Sequence, residues 1–306
     1  MAAVTISDSN AQTPPVPIID THIHLFDTTR PQGVPWPDKS NAVLYKPALP
    51  DRYRQLTAPF PIRGVIEVEC SPWVEDNQWV LNIAAKDKLI LGTVGNLDPG
   101  DPEFPKQLER FHKNPLFKGI RYGNIWNRNL SAELSKPKFV DGLKLLADAG
   151  LSLDTANPDP VLIEACITAT DKVPSLRLII DHLPQLNPPS APGDHNRYWA
   201  AIKLLGQRPQ VFVKISQVLR RENGRVSLDP SFYKDRIDLI WNHFGDDRVL
   251  YGSDWPNSDQ WGDYRSVLNV VREFCKTKPI SVGEKYFWKN SVAAYRWTKR
   301  DPGQPG

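Results

Sequence analysis

Three histidines and one aspartate of the chain have the side-chain types of a metal centre or of acid–base catalysis. His22 and His24 lie in the segment DTHIHLFD, His182 lies in IIDHL and Asp254 lies in YGSDWP. Imidazole nitrogens and a carboxylate bind divalent ions such as zinc, and a carboxylate can also take a proton from water. If folding brings the four residues together, they predict a catalytic centre that activates water, with or without a metal ion.

The spacing of His22 and His24 places both rings on one side of an extended strand. Residues two apart in a strand point the same way and lie roughly 6–7 Å apart. Two rings aimed at one spot suit two ligands of one metal ion, or two hydrogen-bond donors to one developing oxyanion. An ordinary turn is the other interpretation of an isolated HxH pattern, but its position at the end of the first predicted strand favours the functional one.

His182 and Asp254 each follow directly after an apolar segment. For His182 alone, a loop histidine bonded to the backbone is an equal alternative. Asp254 could cap a following helix, but Pro256 and the polar residues after it delay the next helical pattern to about Trp261. A carboxylate at the end of a strand therefore fits a metal ligand or a general base better.

Eight short segments rich in β-branched and aliphatic residues recur along the chain, with helical patterns between most of them. Strands that alternate with helices indicate a parallel sheet covered on both faces. Eight such units in about 250 residues fit a closed (β/α)8 barrel of the TIM type, with an open doubly wound sheet as the alternative. The loops at the carboxyl ends of barrel strands build active sites, so the four residues are expected to meet at one rim. The predicted strands span residues 16–20, 63–70, 89–96, 117–121, 151–155, 176–181, 211–216 and 248–253.

Length and composition agree with one globular domain. The chain has 306 residues, of which 40% are hydrophobic and 24% are charged. We expect a single barrel domain over residues 15–300, with flexible tails at residues 1–14 and 301–306. The net charge of +3 is too small to indicate a nucleic-acid partner, and the Lys and Arg residues are spread along the chain rather than clustered.

Cysteine usage and hydropathy bear on the compartment. Three cysteines without a CxxC pattern do not indicate a disulfide framework, so a reducing compartment is expected. No apolar run reaches 18 residues, and the first 17 residues lack the pattern of a signal peptide. The expectation is a cytoplasmic protein without a membrane partner, whose oligomeric state is open.

The motifs taken together resemble those of the amidohydrolase superfamily. DTHIHLFD, FKGIR, IIDHL, VFVKIS, YGSDWP and the terminal KNSVAAY occur in the family's order and cover nearly the whole chain. Within the superfamily, the chain is similar to the branch that hydrolyses lactones of sugar acids and of aromatic-degradation intermediates. The resemblance implies that His22 and His24 are first-strand ligands, that His182 is the sixth-strand histidine, and that Asp254 is the base that activates water.

Two departures from the superfamily pattern bear on the metal. Residues 153–155 of the fifth predicted strand read LDT, without the histidine that many members have there. The fourth strand ends at Arg121 and Tyr122, without a lysine that could be carbamylated. A binuclear centre is therefore not expected, and what remains is one divalent ion, zinc first, or none. The candidate ligands of that ion are His22, His24, His182 and Asp254.

Five further residues are candidates for substrate binding, namely Trp36, Arg121, Tyr122, Lys214 and Trp255. Arg121 and Lys214 lie at strand ends and could hold a substrate oxygen or carboxylate, or could form structural ion pairs instead. Tyr122 follows the fourth strand, and Trp36 and Trp255 fall in loops of the predicted rim.

The reaction that the resemblance implies is hydrolysis of a sugar-acid (aldono-) lactone to the hydroxy acid, with L-rhamnono-γ-lactone as the leading substrate. The expected partner is then a small-molecule lactone. A pyrone or muconolactone carboxylate needs several cationic anchors, of which Arg121 is the best placed, so that substrate ranks second. Metal-dependent decarboxylation of an aromatic acid uses the same four residues and stays open, although the missing fifth-strand histidine argues mildly against it. A third possible function is binding without catalysis. The presence of all four residues, His22, His24, His182 and Asp254, disfavours it.

Overall fold

The computed structural model describes residues 15–306. Eight parallel strands form one sheet in which neighbours follow chain order, so every connection is a crossover to the next strand. A short antiparallel hairpin made of β8 (Arg221–Glu222) and β9 (Arg225–Val226) lies outside this sheet. The barrel strands are β1 (Ile18–Ile23), β2 (Ile62–Val68), β3 (Ile90–Gly95), β4 (Phe117–Arg121), β5 (Ser152–Asp154), β6 (Arg177–Ile180), β7 (Val211–Ile215) and β10 (Val249–Tyr251).

The first and last strands close the sheet into a barrel at their carboxyl ends. The backbone N–H of Asp254 donates to the carbonyl of His22 at 2.8 Å, and the N–H of His24 donates to the carbonyl of Trp255 at 2.8 Å. Ile23 pairs with Trp255 as an isolated parallel bridge. The predicted (β/α)8 barrel is confirmed, and the seam that closes it passes through two of the predicted site segments.

Helices connect most of the barrel strands. Five of them have a proline in the first turn, where the missing N–H costs no hydrogen bond. These prolines are Pro50, Pro105, Pro137, Pro160 and Pro192. The helices are α1 (Pro50–Thr57), α2 (Val74–Lys86), α3 (Phe104–His112), α4 (Leu130–Glu133), α5 (Pro137–Asp148), α6 (Pro160–Lys172), α7 (Pro192–Gly206), α8 (Lys234–Phe244), α9 (Tyr264–Cys275), α10 (Ile280–Glu284) and α11 (Asn290–Tyr295).

The sequence patterns did not predict α7. Its first six residues are exposed, and its buried residues all lie from position 198 onward: Tyr198, Ala201, Ile202, Leu205 and Gly206. An apolar stripe that covers only half of a helix gives a weak periodic signal, because the helical period shows itself over several turns.

The end of the chain packs against the amino-terminal end of the barrel. Tyr295 and Trp297 belong to one apolar cluster with strand residues such as Ile19 and Leu250. Arg177, the first residue of β6, donates to the carbonyl of Ala294 at 2.5 Å. The chain end therefore lies opposite the rim that carries the predicted site.

The two predicted tails differ in what the structure describes. Residues 1–14 lie outside the described part of the chain. Within residues 301–306, for which the sequence predicts a flexible tail, Gln304 is buried and donates to the carbonyl of Lys88 at 2.8 Å, while most of the other residues are exposed. Arg300, just before this segment, donates to the carbonyls of Asp87 and Ile90 at 2.9 and 2.6 Å. Among residues 15–306, no helix has the length and apolar character needed to cross a membrane.

Candidate active site

The structure brings the three histidines and Asp254 together at the carboxyl end of the barrel. The Nε2 atoms of His24, His22 and His182 lie 3.2, 3.6 and 3.6 Å from one oxygen of Asp254, Oδ1. All four side chains are buried. Three ring nitrogens around one carboxylate oxygen form a compact donor set that can hold a metal ion or surround an activated water molecule.

Left-handed backbone conformations turn side chains at the strand ends towards this centre. His182 and Asp254, which follow β6 and β10, have φ of 55° and 62°. Eight non-glycine residues in the described chain have positive φ, and six of them line the cavity above the centre. These six are His182, Asp254, Trp126, Asn127, Asn157 and Gln217. Because this conformation costs an ordinary residue roughly 1–2 kcal/mol, its concentration at one rim marks a site that the rest of the fold holds in place.

The Nδ1 atoms hold two of the three rings in position. Nδ1 of His24 donates to the carbonyl of Val68 at 2.8 Å. In the neutral ring the lone pair is therefore on Nε2, where a metal ion could use it, whereas a ring protonated on both nitrogens donates from Nε2 to Oδ1 of Asp254, 3.2 Å away. Nδ1 of His182 lies 2.8 Å from the hydroxyl of Ser216. The second carboxylate oxygen of Asp254 accepts from the amide of Asn257 at 2.7 Å. Outer contacts of this kind orient metal ligands and catalytic groups.

His22 has a different environment from the other two histidines. Its Nδ1 lies 3.2 Å from Nζ of Lys214 and 3.6 Å from Oδ2 of Asp181. Its Nε2 is buried and makes no hydrogen bond within residues 15–306. Lys214 itself is fully buried, with Nζ 2.8 Å from Asp154 and 2.9 Å from Asp181.

Burial and neighbouring charges set the ionisation of the centre. Burial, with a further contribution from Lys214, holds the pKa of His22 well below its usual value. Burial also lowers the pKa of His182 to about 3. Burial acts to raise the pKa of Asp254, but His182 and His24 outweigh it, and the pKa of Asp254 lies below its usual value. The centre at neutral pH therefore contains unprotonated His22 and His182 beside an ionised carboxylate.

This donor set fits a divalent ion. The orphaned Nε2 of His22 is a buried polar atom without a partner in the described chain, and it lies in one group with donor atoms of His24 and Asp254 that are all within 4.8 Å of one another. At the fifth strand, where a second ion would need a ligand, Asp154 is already engaged by Lys214 and by the hydroxyl of Tyr295 at 2.5 Å.

A cavity of about 600 Å³ opens to solvent above the centre. Of the five residues expected to bind substrate, Trp36 and Arg121 line it. Lys214, Tyr122 and Trp255 are buried and do not belong to its lining. Successive residues of a strand point to opposite sides, which explains why Arg121 enters the cavity while Tyr122 packs against Phe139 outside it.

Several lining residues were not singled out from the sequence. They lie within seven residues after a strand end and are mostly carboxamides, so a search for polar residues in the loop after each predicted strand would have found them. The loop after β4 also carries Trp126, whose indole N–H donates to the buried carboxylate of Glu69 at 3.1 Å and ties that loop to β2. The additional polar lining residues are Asn124, Asn127, Arg128, Asn157, Gln217 and Asn257.

Comparison with known proteins agrees with this architecture. The sequence profile of the family described as amidohydrolase matches residues 19–297. This chain belongs to the amidohydrolase family. The resemblance inferred from the motifs is therefore confirmed, and the match covers the eight barrel strands of this amidohydrolase except Ile18, the first residue of β1.

Two relatives and one solved structure illustrate the similarity of this amidohydrolase to known proteins. It is 25% identical over 265 residues to an L-fucono-1,5-lactonase of Burkholderia ambifaria, an alignment that covers 84% of this chain and 87% of the relative. It is 23% identical over 285 residues to an L-fucono-1,5-lactonase of Burkholderia multivorans, covering 90% and 94%. The fold is similar to the crystal structure of a Burkholderia multivorans amidohydrolase with bound zinc, at TM-score 0.79, 18% identity, and coverage of 92% of this chain and 100% of that one.

Gly252 allows β10 to approach the centre closely, which gives a testable prediction. A Cβ at this position would lie 2.7 Å from Cβ of His22 and 3.2 Å from Cβ of Ser216. Gly252→Ala must therefore displace His22, or the serine that holds His182. We expect turnover to fall by about 100-fold, since a displacement near 1 Å at reacting groups has that effect.

The matched control for this prediction is Gly193→Ala in α7, where no atom lies within 4 Å of the added Cβ. Steady-state kinetics and thermal melting of both variants provide the measurement. Wild-type kcat/KM in Gly252→Ala would show that the position of His22 does not matter for turnover.

Proposed function

We propose that this amidohydrolase opens the ring of a sugar-acid (aldono-) lactone to give the hydroxy acid, with L-rhamnono-γ-lactone as the leading substrate. The observation that carries the proposal is the position of the histidine–aspartate centre at the floor of a cavity whose walls are rich in carboxamides. The two relatives named L-fucono-1,5-lactonase support the substrate class, because their names specify the lactone of a sugar acid.

In the proposed reaction, Asp254 is the base and then the acid. Its ionised carboxylate takes a proton from a water molecule, and the water oxygen forms a bond to the ring carbonyl carbon. When the ring carbon–oxygen bond breaks, Asp254 gives its proton to the departing alkoxide. The other product group is a carboxylic acid, which releases one proton to solvent at neutral pH.

The side chains around Asp254 assist these proton transfers. His24 keeps its ring fixed through Val68, and Asn257 holds the second oxygen of Asp254, so that Oδ1 stays directed into the centre. Arg121 lines the cavity beside the centre and is proposed to stabilise the negative charge that develops on the carbonyl oxygen. His22, His24, His182 and Asp254 are the proposed ligands of one divalent ion, zinc first, which when bound supplies Lewis-acid polarisation of the carbonyl and a lower pKa of water.

The walls of the cavity suit a neutral, polyhydroxylated ring. A carboxamide offers both donors and an acceptor, so it can bond hydroxyl groups in either direction. Trp36 and Trp126 add flat apolar surfaces for the carbon–hydrogen faces of a sugar. We propose that Tyr122 and Trp255, which are buried outside the lining, support these walls from behind. The carboxamides concerned are Asn124, Asn127, Asn157, Gln217 and Asn257.

A second candidate substrate is a lactone that also carries a carboxylate, of the pyrone or muconolactone type. The specific observation in its favour is Arg128, which lines the same cavity as Arg121 and so supplies a second cation. Paired guanidinium groups are a common way to bind a carboxylate.

A panel of lactones tests the proposed substrate class. We expect the purified protein to acidify a weakly buffered solution of an aldono-γ- or δ-lactone faster than spontaneous hydrolysis does, because ring opening yields an acid. A pH indicator follows the reaction, with heat-denatured protein as the control. Acceleration confined to pyrone or muconolactone carboxylates would favour the second candidate, and no acceleration on any lactone would contradict both.

A further inference from the structure

We propose that Lys214 is a positioning residue that fixes the tautomer of His22 and thereby weakens the hold of the centre on a metal ion. The inference about affinity rests on the metal centre proposed above, whereas the inference about the tautomer does not. No part of it requires Lys214 to touch the substrate, in keeping with its place outside the cavity lining.

The contacts of Lys214 determine which way its hydrogen bond to His22 runs. The ammonium group has three N–H donors and no acceptor. It donates to Oδ2 of Asp154 at 2.8 Å, lies 2.9 Å from Oδ1 of Asp181, and lies 3.2 Å from Nδ1 of His22. A group that can only donate needs a lone pair on its partner. Nδ1 of His22 is therefore the acceptor.

An accepting Nδ1 places the proton of His22 on Nε2. A neutral imidazole carries one N–H, so Nε2 becomes a donor, and it faces Oδ1 of Asp254 at 3.6 Å. In this tautomer His22 has no lone pair directed at the centre and cannot bind a metal through Nε2.

Asp181 supports the opposite tautomer. Its Oδ2 lies 3.6 Å from Nδ1 of His22, and a shift of about half an ångström would let it accept a hydrogen bond from an Nδ1–H. With the proton on Nδ1, the Nε2 lone pair is free for a metal, but Lys214 loses one acceptor. Arg121 also reaches Oδ2 of Asp181, at 3.4 Å, and so competes with His22 for that oxygen.

His24 has no such choice. Its Nδ1 faces the backbone carbonyl of Val68, which can only accept, so its Nε2 lone pair always faces the centre when the ring is neutral. His22 is therefore the variable ligand, and Lys214 and Asp181 decide between its two states. The consequence is a centre that is stable without metal and that binds a metal less tightly than its four donors would otherwise allow.

The test uses a double variant that keeps the formal charge of the wild type. Lys214→Met/Asp154→Asn removes one positive and one negative group, so a change in metal affinity cannot come from net charge. Asp154→Asn alone keeps Lys214 and serves as the control for the loss of Asp154. Protein labelled with 15N-histidine contains six histidines, and the signal of His22 is assigned by its disappearance in His22→Gln.

We expect the metal-free wild type and Asp154→Asn to show His22 with an unprotonated Nδ1 and a protonated Nε2. In the double variant the proton is expected on Nδ1, and competition with a chromophoric chelator should show zinc bound at least about tenfold more tightly than in the wild type, the scale on which outer contacts of metal ligands act. A protonated Nδ1 in the wild type, or the same tautomer in all forms, would overturn the role of Lys214. An unchanged zinc affinity despite the tautomer change would overturn its effect on the metal. If no form binds zinc, the proposed metal centre is wrong and the affinity inference falls with it.

Discussion

Asp254→Asn is expected to lower kcat/KM for lactone opening by at least about 10²–10⁴-fold, the usual contribution of a general base. Asparagine has nearly the same size and keeps one acceptor oxygen, so the turn after β10 should survive. It cannot take a proton from water at neutral pH. If Asp254 also binds a metal, the loss is expected to exceed this range and to be accompanied by weaker metal retention.

The contacts of Asp254 distinguish a catalytic role from helix capping. Its carboxylate faces three imidazoles and the side chain of Asn257, rather than backbone N–H groups of a helix. Asp263 is the matched control, since its side chain accepts from the backbone N–H of Ser266 at 2.8 Å and caps α9. Asparagine replaces aspartate well as a cap, so Asp263→Asn should keep full activity. Thermal melting is the fold control. If a folded Asp254→Asn protein keeps a tenth of wild-type activity, Asp254 is not the general base of the reaction.

Lys214→Met is expected to produce the largest loss of stability among single substitutions at the centre. Lys214, Asp154 and Asp181 are all fully buried, and the ammonium contacts both carboxylates. Removal of one partner from a buried ion pair leaves an uncompensated charge, which destabilises the folded state by about 3–5 kcal/mol. Denaturant titration followed by circular dichroism measures this loss.

The double variant Lys214→Met/Asp154→Asn should recover most of the lost stability. It removes one of the two uncompensated carboxylates, and the other, Asp181, still has Arg121 at 3.4 Å. An exposed lysine of a surface pair, Lys144 beside Asp141, provides a contrasting control, since Lys144→Met should barely change the denaturation midpoint. A Lys214→Met protein as stable as the wild type would show that the buried carboxylates do not depend on this lysine.

The convergence of the catalytic centre could be predicted from the sequence because it depends on topology alone. His22, His182 and Asp254 each stand at or just after the carboxyl end of a strand, and parallel barrel strands bring those ends to one rim. The residues at which strands begin and end were harder to predict. The first strand was predicted to end at residue 20 but continues to Ile23, because the closing contacts with residues 254 and 255 keep the chain extended.

The depth and direction of single side chains could not be predicted from the sequence. From the sequence, Lys214 could hold substrate or form a structural ion pair, and only the structure shows that it lies inside β7 with its side chain ending between two buried carboxylates. The conformations of the loops are also set by tertiary contacts, as with Trp126, whose place in the cavity wall depends on a hydrogen bond to the distant Glu69. Such contacts join residues far apart in the chain and leave no periodic signal.

Proton release and CO2 release, measured together with the best lactone and separately with a hydroxybenzoate, test the proposed hydrolysis most directly. Ring opening by water forms one hydroxy acid and releases one proton per lactone consumed, without CO2, whereas decarboxylation releases CO2 and consumes a proton. We expect stoichiometric proton release with the wild-type protein, no CO2, and only the spontaneous rate with Asp254→Asn. CO2 release from a hydroxybenzoate, with no acceleration of proton release from any lactone, would contradict the proposed reaction.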